Sequence, residues 1–238
     1  MTGGVRLDLN FHEFQAQLFD LDASELRQAV KTVEAGGTPD GTGTSYYAIR
    51  AGEEVLPRDA DWIADQARCV LEDMAVAAFK IGVIGSVDNV TAIAEVVSDY
   101  PEIPLILDPV LSSGRGDELA NEDIVSAMRE LLIPQTTIIT PNSLEARRLA
   151  LDDRDDKDNP DLEECAKRLI ALGCEYVLIT GTHENTLQVV NILYGESGVA
   201  SSESWPRLPG SYHGSGCTLA SAIAATIANG LPMVEAVK

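Results

Sequence analysis

Pro104-Leu105-Ile106-Leu107-Asp108-Pro109-Val110 decides how this chain folds. It is a short apolar run that ends at an acid, which is the signature of a strand buried on both faces with a polar group at its tip. Working outward, Ala77–Ile84, Thr137–Thr140 and Tyr176–Thr180 repeat the pattern. Helical spacing fills the intervals, at 61–74, 87–98, 121–132, 144–151 and 162–172, the last stopped by Gly173. The first of these helices is expected to line up Trp62, Ala67, Val70, Leu71 and Met74 on one face. Strands alternating with helices in this way predict a parallel sheet covered on each side. After Thr182 the pattern changes. Leu187–Tyr194 and Val199–Trp205 read as an antiparallel pair joined at Gly195–Gly198, and an Ala-rich helix then runs to Asn229, ended by Gly230 and Pro232. The expected fold class is α/β, a three-layer αβα sheet that is mostly parallel with an antiparallel edge pair.

Composition narrows the functions. The 238 residues favour one core, and 45% hydrophobic with 23% charged residues is ordinary for a soluble globule. Acidic residues outnumber basic ones 38 to 17, for a net charge of −21, so nucleic acid and anionic membranes are poor partners. Any anionic substrate needs a local patch of positive potential against that background. No apolar run is long enough to span a bilayer and no secretory signal opens the chain, which gives a cytoplasmic expectation. The four cysteines form no CxxC pair and no zinc-ligand spacing. Cys69, Cys165 and Cys174 are read as small core or boundary residues. The charge run 152–158 is read as a solvated loop. Residues 1–60 are irregular, with a capped helix expected over Glu25–Glu34 and no apolar first strand.

Ligands of a parallel sheet gather at its strand ends. Here those ends carry Lys80 and Gly82, then Asp108, then Asn142 and Glu145, then Thr180-Gly181-Thr182-His183. Each has a plainer reading: Asp108 capping a turn with Pro109, Asn142 capping the helix that Glu145 enters, Thr182 as a turn residue. The strongest signal is His213-Gly214-Ser215-Gly216-Cys217-Thr218-Leu219-Ala220. Its glycines let successive amides face one concavity at a helix mouth, a nest suited to phosphoryl charge without Lys or Arg. It is neither the GxxxxGK[ST] nor the GxGxxG pattern. Cys217, in the first helical turn, is expected to have a lowered thiol pKa and to serve as a proton acceptor, or else to be a small buried residue among alanines. His213 is read as a loop residue.

These residues resemble the anion-hole signature of the hydroxymethylpyrimidine/phosphomethylpyrimidine kinases of thiamine biosynthesis, in the ribokinase superfamily. Most of that superfamily carries Asp at the base position, and Cys217 matches this family. Lys80-Ile81-Gly82-Val83, Leu107-Asp108-Pro109-Val110, Thr140-Pro141-Asn142-Ser143-Leu144-Glu145-Ala146 and Val177–His183 follow in the family's order and spacing. The resemblance implies a ribokinase-like domain over 1–238, matching over 51–238 and atypical over 1–50. It implies ATP and Mg²⁺ as cofactors and a pyrimidine alcohol, then its monophosphate, as acceptor. It also implies a homodimer. Cys217 would be the base, with Gly214, Ser215 and Gly216 as anion-hole donors. Asn142, Glu145, Thr180, Gly181 and Thr182 would hold the nucleotide, Glu145 and Asp108 the metal, and Gly82, Val83, Asp108, Val110 and Cys217 the pyrimidine. Against the family pattern, the first strand, the Ser-Asp-x-x-Gly-Gly loop and a Gln-bearing segment have no counterpart, and the last helix is expected to be absent. That leaves two further readings, a kinase of another vitamin alcohol such as pyridoxal, and a non-catalytic nucleotide or pyrimidine binder.

Overall fold

The computed structural model describes residues 58–112, 118–151, 160–209 and 214–238. The expectations for residues 1–57, for the 152–158 charge run and for His213 lie outside them. Six strands, β1 (Phe79–Ile81), β2 (Leu105–Leu107), β3 (Ile138–Ile139), β4 (Tyr176–Ile179), β5 (Gln188–Gly195) and β6 (Gly198–Pro206), lie side by side in chain order. β1 to β4 pair in parallel, and β5 and β6 close that side as an antiparallel hairpin. This is the expected mostly parallel sheet with an antiparallel edge pair.

Period-2 alternation sorts the strand residues between two cores. Leu107, Ile139, Val177, Ile179 and Tyr194 face one side, where Val90, Ile124, Leu149 and Leu169 cover them. These covering residues belong to α2 (Val87–Ser98), α3 (Glu122–Ala127), α4 (Ser143–Ala150) and α5 (Leu162–Ala171). Ile106, Ile138, Leu178 and Leu193 face the other side, under Ala220, Ile223, Ala224 and Val237. Those come from α6 (Ser215–Ala228) and the segment around α7 (Met233–Ala236). Small residues on α6 let it sit close over β1 and β2, which brings its N-terminus to their carboxyl ends.

The helices begin where polar side chains replace the missing intrahelical acceptors. Ser86 accepts from the Asn89 amide, Asn121 from Ile124, Asn142 from Leu144 and Glu145, and Asp161 from Glu164. α3 ends in a wider π turn, Met128–Leu132, followed by the 3₁₀ turn Ile133–Gln135 with Pro134 inside it. Gly173, at φ 118°, provides the predicted stop after α5.

Two readings are corrected. α1 (Ala60–Asp73) forms, capped by Asp59, but Trp62, Val70 and Met74 are exposed. Its half-buried residues include Ile63, Ala67 and Leu71, one position around the helix, and they pack beside α2. Cys69 is exposed on the same helix, whereas Cys165 and Cys174 are buried as expected. Among the described residues no helix is long and apolar enough to cross a membrane.

Candidate active site

Three strand ends and one helix mouth converge. β1 ends at Ile81, whose carbonyl accepts from the Asp108 amide at 2.8 Å, so the tips of β1 and β2 are locked together. Lys80 and Asp108 then meet as an ion pair, Nζ to Oδ2 at 3.1 Å. Asp108 is only 4% exposed. A carboxylate that buried requires a partner, and Lys80 supplies it. Gly82 makes room, since a Cβ there would lie 2.9 Å from the Lys80 ammonium. The amide of Val110 donates to the Asp108 carbonyl and bends the chain just past β2. Val83 is half-buried just beyond β1.

From above, α6 brings Cys217 to the same carboxylate. The Cys217 thiol lies close enough to Asp108 to feel its negative charge. Its pKa is pushed up to about 11, first by burial and then by the negative charge of Asp108, against a smaller lowering by Lys80. The expectation of an acidified thiol is therefore reversed. The helix-terminus argument considered only the dipole, and burial beside a carboxylate outweighs it.

The mouth of α6 differs from the other described helices of eight residues or more, because no side chain caps it. Gly214 turns the chain into the helix at φ 80°, a left-handed conformation that favours glycine. The first intrahelical bond runs from the Thr218 amide to the Gly214 carbonyl at 2.9 Å, so the amides of residues 215–217 precede the ladder. A Cβ on Gly216 would meet nothing within 4 Å. Ser215 and Gly216 are exposed.

Asn142 and Glu145 form a reciprocal capping box at the start of α4. One Glu145 oxygen accepts from the Asn142 amide at 2.9 Å and the other from the Leu111 amide at 3.3 Å. The plainer reading of Asn142 as a helix cap is thus correct, and it also fixes Glu145 facing the site. Glu145 is pushed up to about 7, mainly by burial, with Asp108 adding to the rise. Two buried carboxylates whose charges oppose each other suit a divalent cation. No group of three or more His, Cys, Asp or Glu suited to a metal occurs among the described residues. Mg²⁺ needs only one or two carboxylates when waters and phosphates fill its shell, so the residues present fit it.

The fourth strand end adds the other flank. Thr180 bridges to Asn142, its amide donating to the Pro141 carbonyl at 3.0 Å. The 3₁₀ turn Gly181–His183 follows. Gly181 is required there, because a Cβ would collide with the backbone carbonyl of Val190 on β5. Thr182 is exposed on the turn. Arg147 of α4 holds Glu184 at 3.0 Å, which lowers the Glu184 carboxyl pKa and ties the turn to α4.

The structure thus gathers Lys80, Gly82, Asp108, Glu145 and Cys217 around one point, with Asn142 and Thr180 to Thr182 beside it. The sequence did not reveal Lys80 as the partner of Asp108, nor any role for Arg147. A lysine inside an apolar strand run was the one available signal.

The phosphomethylpyrimidine kinase family model matches residues 42–238. The thiamine biosynthesis bifunctional protein ThiED of Geobacter sulfurreducens is 35% identical over 74% of this chain and 36% of its own length. The pyridoxine kinase of Bacillus subtilis is 33% identical over 77% of this chain and 68% of its own. The crystal structure of phosphomethylpyrimidine kinase from Clostridium difficile superposes with a TM-score of 0.63 at 28% identity, covering 89% of this chain and 87% of that one. The chain thus spans just over a third of the length of the longer bifunctional relative. The sheet is the ribokinase-like sheet of these kinases, and the chain belongs to the phosphomethylpyrimidine kinase family.

Proposed function

We propose that this chain transfers the terminal phosphoryl group of ATP to the hydroxymethyl group of a pyrimidine alcohol, and then phosphorylates the resulting monophosphate. The observation that carries this reading is the uncapped mouth of α6, with Cys217 in its first turn beside the buried carboxylate of Asp108.

The chemistry follows from the positions. The alcohol oxygen forms a bond to the terminal phosphorus as the bond to ADP breaks. The amides of Gly214, Ser215 and Gly216 take up charge on the transferred phosphoryl oxygens, in a site where donors are fixed in advance. Cys217 receives the alcohol proton. Because it is held as a thiol, it must release its own proton as it gains one, and Asp108 is the neighbouring carboxylate that would take it. Asn142 with Thr180, Gly181 and Thr182 flanks the nucleotide, while Gly82, Val83 and Val110, at the tips of β1 and β2, face the pyrimidine. Glu145 and Asp108 would hold Mg²⁺, which supplies neutralisation of phosphate charge. An ATP-dependent activity of this kind fits the cytoplasm.

The test is product analysis by mass spectrometry with ATP, Mg²⁺ and either hydroxymethylpyrimidine or pyridoxal. The expected product is the pyrimidine phosphate, and Cys217→Ala lowers its rate by about 10²–10⁴-fold while ADP binding persists. Phosphorylation of pyridoxal alone replaces the acceptor. Binding of ATP with transfer to neither alcohol refutes the kinase reading, and equal rates for Cys217→Ala and the parent refute the proton path.

A further inference from the structure

We propose that Arg207 is a positioning residue for nucleotide binding, its guanidinium holding the turn after β4 in the shape that receives the nucleotide; the inference rests on the kinase reading above. Arg207 follows β6 and stands seven positions before Gly214. Its Nη1 donates to the Thr182 carbonyl at 2.6 Å and its Nε to the Thr186 carbonyl at 2.9 Å. Its Nη2 donates to the carbonyls of Glu184 at 2.7 Å and Gly181 at 3.2 Å. The Arg207 amide adds a bond to the Leu187 carbonyl at 3.3 Å. One side chain thus satisfies four carbonyls that the segment 181–186 turns toward a single point.

Those carbonyl dipoles repel one another when brought together, so the turn keeps this shape only around a cation with donors in several directions. A planar guanidinium with five N–H groups meets that need, and a lysine ammonium with three donors on a point charge does not. The remaining contacts of the turn show what its shape controls. The Gly181 amide is held by Asn191 Oδ1 at 3.3 Å, and Glu184 is held by Arg147 on the helix that begins at Asn142 and Glu145. Thr180 bridges to Asn142 directly. Arg207 therefore acts on the β3 and β4 flank of the site. Gly82, Val83 and Val110, which face the pyrimidine in the kinase reading, lie at the tips of β1 and β2, across the sheet order from it.

That separation makes the experiment selective. Calorimetric titrations of parent, Arg207→Ala and Arg207→Lys proteins with ADP, and separately with hydroxymethylpyrimidine, are compared alongside melting temperatures. Loss of these charge-assisted bonds is expected to weaken ADP binding at least about tenfold in Arg207→Ala, and by about threefold or more in Arg207→Lys. Pyrimidine affinity is expected to stay within about twofold of the parent. Parent-like ADP affinity in the variants overturns the inference. So does an equal loss for both ligands, the pattern of a general weakening of the fold. Where Arg207→Ala does not fold, Arg207→Lys decides by the same two criteria. A parent protein that binds no ADP overturns the kinase reading, and this inference with it, before any variant is compared.

Discussion

Replacing Gly216 by alanine should raise stability and lower activity together. Gly216 is the second residue of α6 and its φ is not in the left-handed region, so alanine can adopt its backbone conformation. The added methyl meets nothing within 4 Å. With neither strain nor clash, the substitution restricts the unfolded chain and should stabilise the protein by about 0.4–1 kcal/mol. For a domain of this size that corresponds to a rise in melting temperature of about 1–4 °C. Packing therefore gives no reason for glycine at this position. In the proposed reaction the open space above it is where phosphoryl oxygens approach the amides of residues 214–216, and a methyl group there would push them back. A displacement of about 1 Å at a reacting group costs on the order of 10²-fold in rate. Scanning calorimetry and single-turnover transfer from ATP measure the two effects on one preparation. A lower melting temperature would show that the space is not open. A higher one with parent-like turnover would show that the helix mouth takes no part in transfer.

Two further outcomes follow from the electrostatics. Lys80→Met should destabilise the protein by about 3 kcal/mol in urea unfolding, the low end for a broken buried pair because the lysine end is part-exposed. Adding Asp108→Asn should recover much of that loss, and strictly additive losses would contradict the pairing. For Glu184, whose pKa Arg147 lowers, the stabilising contribution is present above the unfolded carboxylate pKa and is lost as pH falls through the folded value. Glu184→Gln should therefore show a shallower fall in urea midpoint than the parent on acidification below about pH 5, and parallel pH profiles would count against the ion pair.

The architecture was legible because apolar runs and their polar tips repeat at regular intervals. Run length overstated strand length: Ala77–Ile84 yields only Phe79–Ile81 as strand, because the chain leaves the ladder at Gly82 to build the site. Other features depended on contacts between residues far apart in the chain. The partner of Lys80 lies 28 positions away and the carbonyls held by Arg207 lie 21 to 26 positions before it. No local pattern encodes such pairs. Cys217 shows the same limit in chemistry. The sequence places it at a helix start, which argues for thiolate, and only the fold places Asp108 against it, which argues for thiol. Asn142 shows that two readings of one residue need not compete, since its role as helix cap is what aims Glu145 at the site.

In the proposed reaction, the net charge of the chain gives the helix mouth its weight. For that reaction, a protein of net charge −21 must counter the ATP phosphates locally. Cations stand near the site, but their contacts are with the protein: Lys80 is engaged by Asp108, Arg147 by Glu184 and Arg207 by four carbonyls. Each fixes a piece of the site's shape, and turning any of them toward phosphate would strand a buried carboxylate or reopen the turn. Beside the Mg²⁺ that Glu145 and Asp108 would hold, the burden then falls on groups that carry no net charge and need no counterion, the amides at the start of α6, where the helix dipole favours an anion. Such donors attract phosphate over short distances only, so they leave the long-range field of the acidic surface unchanged and act once the substrate is seated.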